Sequence, residues 1–270
     1  MRLSFALFMG LLLASSGLDA AVSRDIDYLP DENYADNNDR LDVHMPDNVK
    51  RAPVLLFFHG GALMFGDKSY GDGLAKRLLP YGIGVVSANY RLSPDVQHPT
   101  HAQDAAAAYA WTIRHIAEYG GDPARVYVSG HSAGAYLAAL LALDPGYLGK
   151  HGLGLDSIGG AVLISPFLYV EETARDRPKT VWGTNPDDWL AASVTPHIGP
   201  SEVDFLLLYA DGDDAWRKAQ NERFVVEMRK AGTASIRALE LGDRDHRSLM
   251  TRINEPSDQI GAQIRAFVAM

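Results

Sequence analysis

Cysteine is absent from this 270-residue chain. That gap removes disulfide scaffolds, thiolate metal sites, iron–sulfur clusters and cysteine nucleophiles together. A basic excess is missing as well: 25 Lys and Arg stand against 34 Asp and Glu, a net charge of −9. Neither a nucleic-acid footprint nor an anionic-membrane binder is expected from such a balance. Glycine and proline, 25 and 14 residues, are too few for a fibrous chain, and a 47% hydrophobic content is too high for disorder. No repeat, low-complexity tract or Ser/Gly linker divides the sequence. One large domain is the expectation for this length. Any covalent chemistry needs a nucleophile other than cysteine.

A long apolar run occurs at the start. Met1-Arg2 precedes Leu3 to Leu13, interrupted by Ser4 and Gly10, and small residues lead to Leu18-Asp19-Ala20-Ala21. The run is well short of the ~20 residues a bilayer span needs. It reads as a signal peptide over residues 1–21, cleaved after Ala20 or Ala21, so the expected location is periplasmic or extracellular. The remainder, 22–270, reads as one folded domain, with no further membrane span.

Beyond the leader, buried strands alternate with amphipathic helices. Strands are expected at Arg40–Met45, Val54–Phe58, Ile83–Ala88, Arg125–Ser129, Ser157–Ser165, Phe205–Ala210 and Ser235–Leu241. Helices are expected over Ala102–Ile116, Ala133–Leu143, Ala219–Lys230 and Pro256–Val268. Continuous apolar strands separated by helices are the pattern of a mostly parallel sheet covered on both faces, an α/β fold. Residues 167–200 fit neither period and carry Pro178, Pro186, Pro196, Trp182 and Trp189. They read as a small cap inserted over the sheet.

Gly130-His131-Ser132-Ala133-Gly134 lies between an expected strand and an expected helix. A strand that turns into a helix within so few residues strains its central residue and leaves room only for glycine at the flanks. Ser132 is therefore the expected nucleophile. His59-Gly60-Gly61-Ala62 follows another strand, and its glycines let the loop curl its amides toward a developing oxyanion. A further donor is expected from Ala133, the residue after the nucleophile.

A serine hydroxyl needs a histidine to take its proton and a carboxylate to orient that histidine. His246 follows the last strand, where a loop can carry it over the sheet edge. His131 adjoins the serine along the chain and is expected to point elsewhere. His98 and His101 lack a third metal ligand. Asp211, Asp213 and Asp214 all follow the Phe205–Ala210 strand, in the chain order Ser…Asp…His of hydrolases built on such a sheet. The residues alone do not rank the three, and the spacing does not complete a calcium loop.

With these motifs in hand, the chain resembles the α/β-hydrolases. It is most similar to the carboxylesterase and lipase branch, with hormone-sensitive-lipase-like enzymes, small bacterial feruloyl and acetyl esterases and serine-type kynurenine formamidases. The resemblance runs from Leu41-Asp42-Val43-His44-Met45-Pro46 through Asn89-Tyr90-Arg91-Leu92-Ser93-Pro94 and Gly121-Asp122-Pro123-Ala124-Arg125-Val126 to Asp243-Arg244-Asp245-His246. It implies an α/β-hydrolase fold with a small cap, Ser132 as nucleophile and His246 as base. Asp213 is the acid it implies, with Asp214 as runner-up. The implied oxyanion donors are Gly61, Ala62 and Ala133. Ala62 stands where many relatives have a third glycine, which a donor tolerates if its backbone angle is ordinary. The implied substrate pocket draws on Leu63, Met64, Phe65, Phe167, Trp182, Trp189 and Trp216.

The expected activity is hydrolysis of small or medium esters, aryl esters included, through an acyl-enzyme, with a small-molecule ester as partner and no cofactor or metal. Arylformamidase action on an N-formylkynurenine-type amide is the alternative, since it uses the same groups. A non-catalytic binding module on a hydrolase scaffold is the remote one.

Overall fold

The computed structural model describes residues 21–29, 37–47, 49–176, 179–233 and 235–269. Of the expected leader, all but Ala21 lies outside the described residues. Eight strands form one sheet: β1 (Ala21–Asp27), β2 (Arg40–Met45), β3 (Ala52–Phe58), β4 (Gly84–Ala88), β5 (Gly121–His131), β6 (Ala161–Ile164), β7 (Phe205–Ala210) and β8 (Ile236–Leu241). Their order across the sheet is β1-β2-β4-β3-β5-β6-β7-β8. The β1–β2 and β2–β4 pairings are antiparallel and the other five are parallel.

Successive side chains of each strand point to opposite faces, and both faces are apolar. Val54, Leu56 and Phe58 of β3 enter one core, while Leu55 and Phe57 enter the other. The first core is closed by α2 (Thr100–His115) and α3 (Ala133–Leu143). The second lies under α1 (Asp72–Leu78). A short α4 (Pro145–Gly149) follows α3, and α5 (Val170–Thr173), α6 (Lys179–Trp182) and α7 (Pro186–Ala192) make up the segment between β6 and β7. The first core also takes Phe224 and Met228 of α8 (Ala215–Ala231); the second takes Leu249 of α9 (Ser248–Thr251) and Ile264 of α10 (Ile260–Val268). Each Leu or Phe that is fully buried here contributes about 1.5–3 kcal/mol. Every residue of α3 is buried, so this helix cannot drift relative to the strands it touches.

Strand order reverses direction at β3, which has β4 on one side and β5 on the other. The loops leaving β3 and β5 therefore diverge to opposite faces and open a crevice at their carboxyl ends, where ligands of open α/β sheets bind. Phe58 and Gly130 are paired across it, which sets His59-Gly60-Gly61 beside His131-Ser132.

Several element boundaries differ from the expectation. The last helix begins at Ile260, not Pro256, and α8 begins four residues earlier than expected, behind Asp214. Strand β5 begins at Gly121 and contains Pro123: its register with β3 slips between Ala52 and Val54, a bulge that accommodates a residue with no donor. The expected Ser157–Ser165 strand is only Ala161–Ile164, because Gly160 adopts φ +151 just before it. Strand β1 carries no expectation at all. Its side chains are largely exposed, so no apolar alternation marks it, and an ion-pair cluster holds it instead. Lys68 Nζ lies 2.7 Å from Asp42 Oδ1 and 2.8 Å from Asp25 Oδ1, and Arg24 reaches Asp42 Oδ2 at 2.7 Å. Among the described residues, no helix is long and apolar enough to cross a membrane.

Candidate active site

Ser132 has φ 55 and ψ −113, a strained conformation between β5 and α3. Two glycines make the turn possible. A Cβ on Gly134 would lie 2.0 Å from the Phe58 carbonyl oxygen, and one on Gly130 would lie 2.2 Å from the Gly134 carbonyl carbon. The elbow is thus pressed against the end of β3. The Ser132 amide donates to the Ile164 carbonyl at 2.8 Å, tying the turn to β6 as well. Ser132 caps α3, so the positive end of that helix's dipole lies at the serine.

His246 Nε2 is 2.9 Å from Ser132 Oγ, and its Nδ1 is 2.8 Å from Asp213 Oδ1. This network places the proton on Nδ1, toward the carboxylate, and leaves Nε2 to accept from the serine. Asp213 is buried, and its Oδ2 accepts from the Ala210 amide at 2.9 Å and from Ser165 Oγ at 2.7 Å. Burial pushes the Asp213 carboxyl up, but hydrogen bonds from His246, Ser165 and the Ala210 amide more than offset that and hold it below the ordinary carboxylate range. Asp214 is exposed at the start of α8, and Asp211 accepts from the Asp243 and Arg244 amides at 3.1 Å each. Of the three acids, Asp213 meets His246, while Asp211 ties the loop after β7 to the loop that carries His246.

The loop after β3 departs from one expectation. Ala62 has φ 54 and Leu63 φ 63, so the angle at Ala62 is left-handed rather than ordinary. Closing the turn requires it: the Met64 and Phe65 amides both donate to the Gly61 carbonyl, at 2.9 and 3.1 Å. Gly61, at φ +128, admits no side chain, since a Cβ there would lie 1.7 Å from the Phe65 carbonyl oxygen. His59 stacks on Tyr90 with centroids 4.4 Å apart, and its Nδ1 donates to the Gly60 carbonyl at 2.8 Å. Burial lowers the His59 pKa to about 4, so the ring is neutral and holds the loop without adding charge.

The His131 ring bonds to the loop that carries His246, a contact that the sequence pattern does not mark. Its Nε2 donates to the His246 carbonyl at 2.8 Å, and the two rings lie 4.7 Å apart. Burial, and then the neighbouring His246, lower its pKa to about 3. A neutral His131 therefore anchors the backbone of the residue that faces Ser132.

The seven residues expected around a substrate divide into three groups. Leu63, Phe167 and Trp182 are buried. Phe167 stacks on Tyr136 at 4.8 Å, and Trp182 meets Tyr136 edge-on at 5.6 Å, so both spend their surface joining the cap to α3. Met64 and Trp189 are half-buried against the same core. Phe65 is 61% exposed, next to Gly61, and Trp216 is exposed with the Arg217 guanidinium 4.6 Å over its ring. His98 and His101 are not paired to a metal geometry: His98 lies 3.3 Å from the Tyr136 hydroxyl, and His101 Nε2 lies 3.2 Å from Ser93 Oγ. Among the described residues, Asp42, His44 and Asp72 bring ligand atoms within 4.8 Å of one another. Arg24 and Lys68 already neutralise Asp42 there, so the group is part of the β1 ion-pair cluster.

This geometry has counterparts among known proteins. Residues 55–226 match the family model described as alpha/beta hydrolase fold. Esterase LipQ of Mycobacterium tuberculosis is 32% identical over 84% of this chain and 57% of its own length, so the chain spans little more than half of that relative. An esterase B structure from Lactobacillus rhamnosis superposes with a TM-score of 0.78 at 18% identity, covering 93% of this chain and 87% of the other. Thermogutta terrifontis esterase 2 phosphorylated by paraoxon superposes with a TM-score of 0.71 at 23% identity, covering 93% and 91%. With the sheet order, the glycine-flanked elbow and the family match in agreement, the chain belongs to the α/β-hydrolase fold family.

Proposed function

We propose that the protein is a serine hydrolase of carboxylic esters, with Ser132 as nucleophile, His246 as general base and Asp213 as the acid that orients it. The observation that carries this is the unbroken chain Ser132 Oγ–His246 Nε2, 2.9 Å, and His246 Nδ1–Asp213 Oδ1, 2.8 Å, at the crevice of the sheet. Ser132 Oγ attacks the ester carbonyl carbon while His246 Nε2 takes its proton. The carbonyl π electrons move onto oxygen, and the amides of Gly61, Ala62 and Ala133 receive that charge; one such donor is worth about 3–4 kcal/mol. The C–O bond to the alcohol then breaks, and His246 returns the proton to the departing oxygen. Water attacks the acyl-enzyme with His246 again as base, and the acid leaves as Ser132 regains its proton.

Small and medium acyl groups, with aryl esters among them, are the proposed substrates. Support comes from the exposed Phe65 ring beside Gly61 and from a cap closed by buried aromatic packing rather than by a large lid. The relatives named above are esterases, and none is named as a formamidase, so the amide alternative has no support from them. Export belongs to the same proposal and is supported by the composition of residues 1–21 alone. The test is a p-nitrophenyl ester series of increasing acyl length, run beside N-formylkynurenine and a fluorophosphonate label. Turnover of the short esters and labelling lost in Ser132→Ala are expected. Cleavage of N-formylkynurenine alone would overturn the assignment.

A further inference from the structure

Ser165 is the first residue after β6 and is fully buried. Its φ is +47, a left-handed angle that glycine or asparagine adopts with less cost. Four partners fix it there. Its amide donates to the Leu208 carbonyl at 2.7 Å, and its own carbonyl accepts from Arg217 Nη1 at 3.0 Å. Its hydroxyl lies 2.7 Å from Asp213 Oδ2 and 2.9 Å from His246 Nδ1. The hydroxyl thus touches both members of the pair that faces Ser132, on the side away from the substrate. It donates its one proton to the carboxylate, which leaves an oxygen lone pair toward the Nδ1 proton.

We infer that Ser165 is a positioning residue of the acyl-transfer site: it gives the His246 Nδ1 proton a second acceptor and locks the Asp213 carboxylate in the orientation that presents Oδ1 to the imidazole. This rests on the ester-hydrolase reading above. When His246 becomes an imidazolium, its Nδ1–H is shared between Asp213 Oδ1 and Ser165 Oγ, and the ring cannot swing away from Ser132. The strained backbone makes sense on these terms. A glycine would sit at this angle at less cost, but it would leave Asp213 Oδ2 with the Ala210 amide alone and remove the second acceptor. Arg217, buried with Nε 3.7 Å from Asp213 Oδ1, braces the arrangement by holding the Ser165 carbonyl.

The test uses Ser165→Ala and Ser165→Gly in the full-length protein, with p-nitrophenyl acetate as substrate. The glycine variant relieves the backbone angle, so a purely conformational role predicts normal activity for it. Positioning predicts that both variants lose about 10–100-fold in kcat, the scale of a misaligned catalytic group, while KM stays within about threefold. The low-field Nδ1–H proton resonance of His246 should shift in both. Wild-type kcat in the glycine variant, or a raised KM at unchanged kcat, would overturn the inference. If the wild-type protein neither turns over the ester nor takes a fluorophosphonate, the hydrolase reading itself fails. The two failures are therefore separable.

Discussion

Gly134→Ala tests whether the elbow at Ser132 and the loop after β3, the proposed nucleophile and oxyanion donors, are held as one rigid unit. A Cβ on Gly134 falls 2.0 Å from the Phe58 carbonyl oxygen, 2.4 Å from the Phe58 carbonyl carbon and 2.6 Å from the His59 carbonyl oxygen. All three are backbone atoms, and none can rotate aside. Ordinary contact begins near 3.4 Å, so the end of β3 and the start of α3 must separate by about 1.4 Å, in an interior packed as densely as a crystal. Overpacking of this kind costs about 1–3 kcal/mol. For a domain of this size, a loss of about 2 kcal/mol lowers Tm by about 4–8 °C. Activity should suffer more than stability. The separation moves the Gly61 and Ala62 amides away from Ser132, and a displacement of about 1 Å at a reacting centre costs on the order of 10²-fold. The measurements are a thermal melt and kcat on p-nitrophenyl acetate. A variant that melts several degrees lower yet keeps wild-type kcat would refute the rigid coupling. Unchanged Tm would refute the close approach itself.

The other predictions are simpler to state. Ser132→Ala should lose at least about 10⁴-fold in kcat with no fall in Tm, measured on the same ester. Asp213→Asn should lose about 10⁴-fold, since an amide cannot hold the Nδ1-protonated tautomer, and Asp214→Asn should stay near wild type; the reverse order would move the acid to Asp214. Burial lowers the His59 and His98 pKa values to about 4, and those of His101 and His131 to about 3, from an ordinary 6.5. In that interval the unfolded chain binds protons that the folded one does not, so stability should rise as pH increases from about 4 to 6.5. A urea midpoint that stays flat over this range would contradict it. Lys68→Met removes the cation that bridges Asp25 and Asp42 and should cost about 1–3 kcal/mol, less than for an isolated buried pair because Arg24 still pairs with Asp42 and Asp25 is exposed, with β1 amides losing hydrogen-exchange protection first.

How much of this was legible in the sequence depends on the range over which each feature is encoded. The elbow at Gly130–Gly134 is a local feature, since its glycines, its strand and its helix are contiguous, and the strain at Ser132 follows from them. The parallel sheet is legible for the same reason, in apolar runs such as Phe205–Ala210. The choice of Asp213 over its neighbours needed the family resemblance, because three adjacent acids differ only in where the turn aims them. Ser165 and His131 escaped because their partners are distant in the chain: Ser165 meets Asp213 and His246 after 48 and 81 residues, and His131 meets His246 after 115. Nothing local distinguishes Ser165 from any other strand-end serine except its place before Pro166. The Ala62 angle was missed because the turn that imposes it is closed by amides two and three residues on. Phe167 and Trp182 pack on Tyr136, a contact between the insertion and α3 that no local pattern in the sequence marks.

Strand β1 runs antiparallel to β2, and Ala21 pairs with Met45. The neighbouring His44 pairs with Val85 near the start of β4. The described chain therefore begins at the end of the sheet opposite the crevice that holds Ser132, on a strand fastened by Lys68, Asp25 and Asp42. Coupling the protein to a bead or a cell surface through a linker ahead of Ala21 would turn the crevice outward, toward the solution. The same linker would pull along a strand held both by its ladder with β2 and by the Lys68 ion pairs, so the load would enter the sheet through β1 and β2.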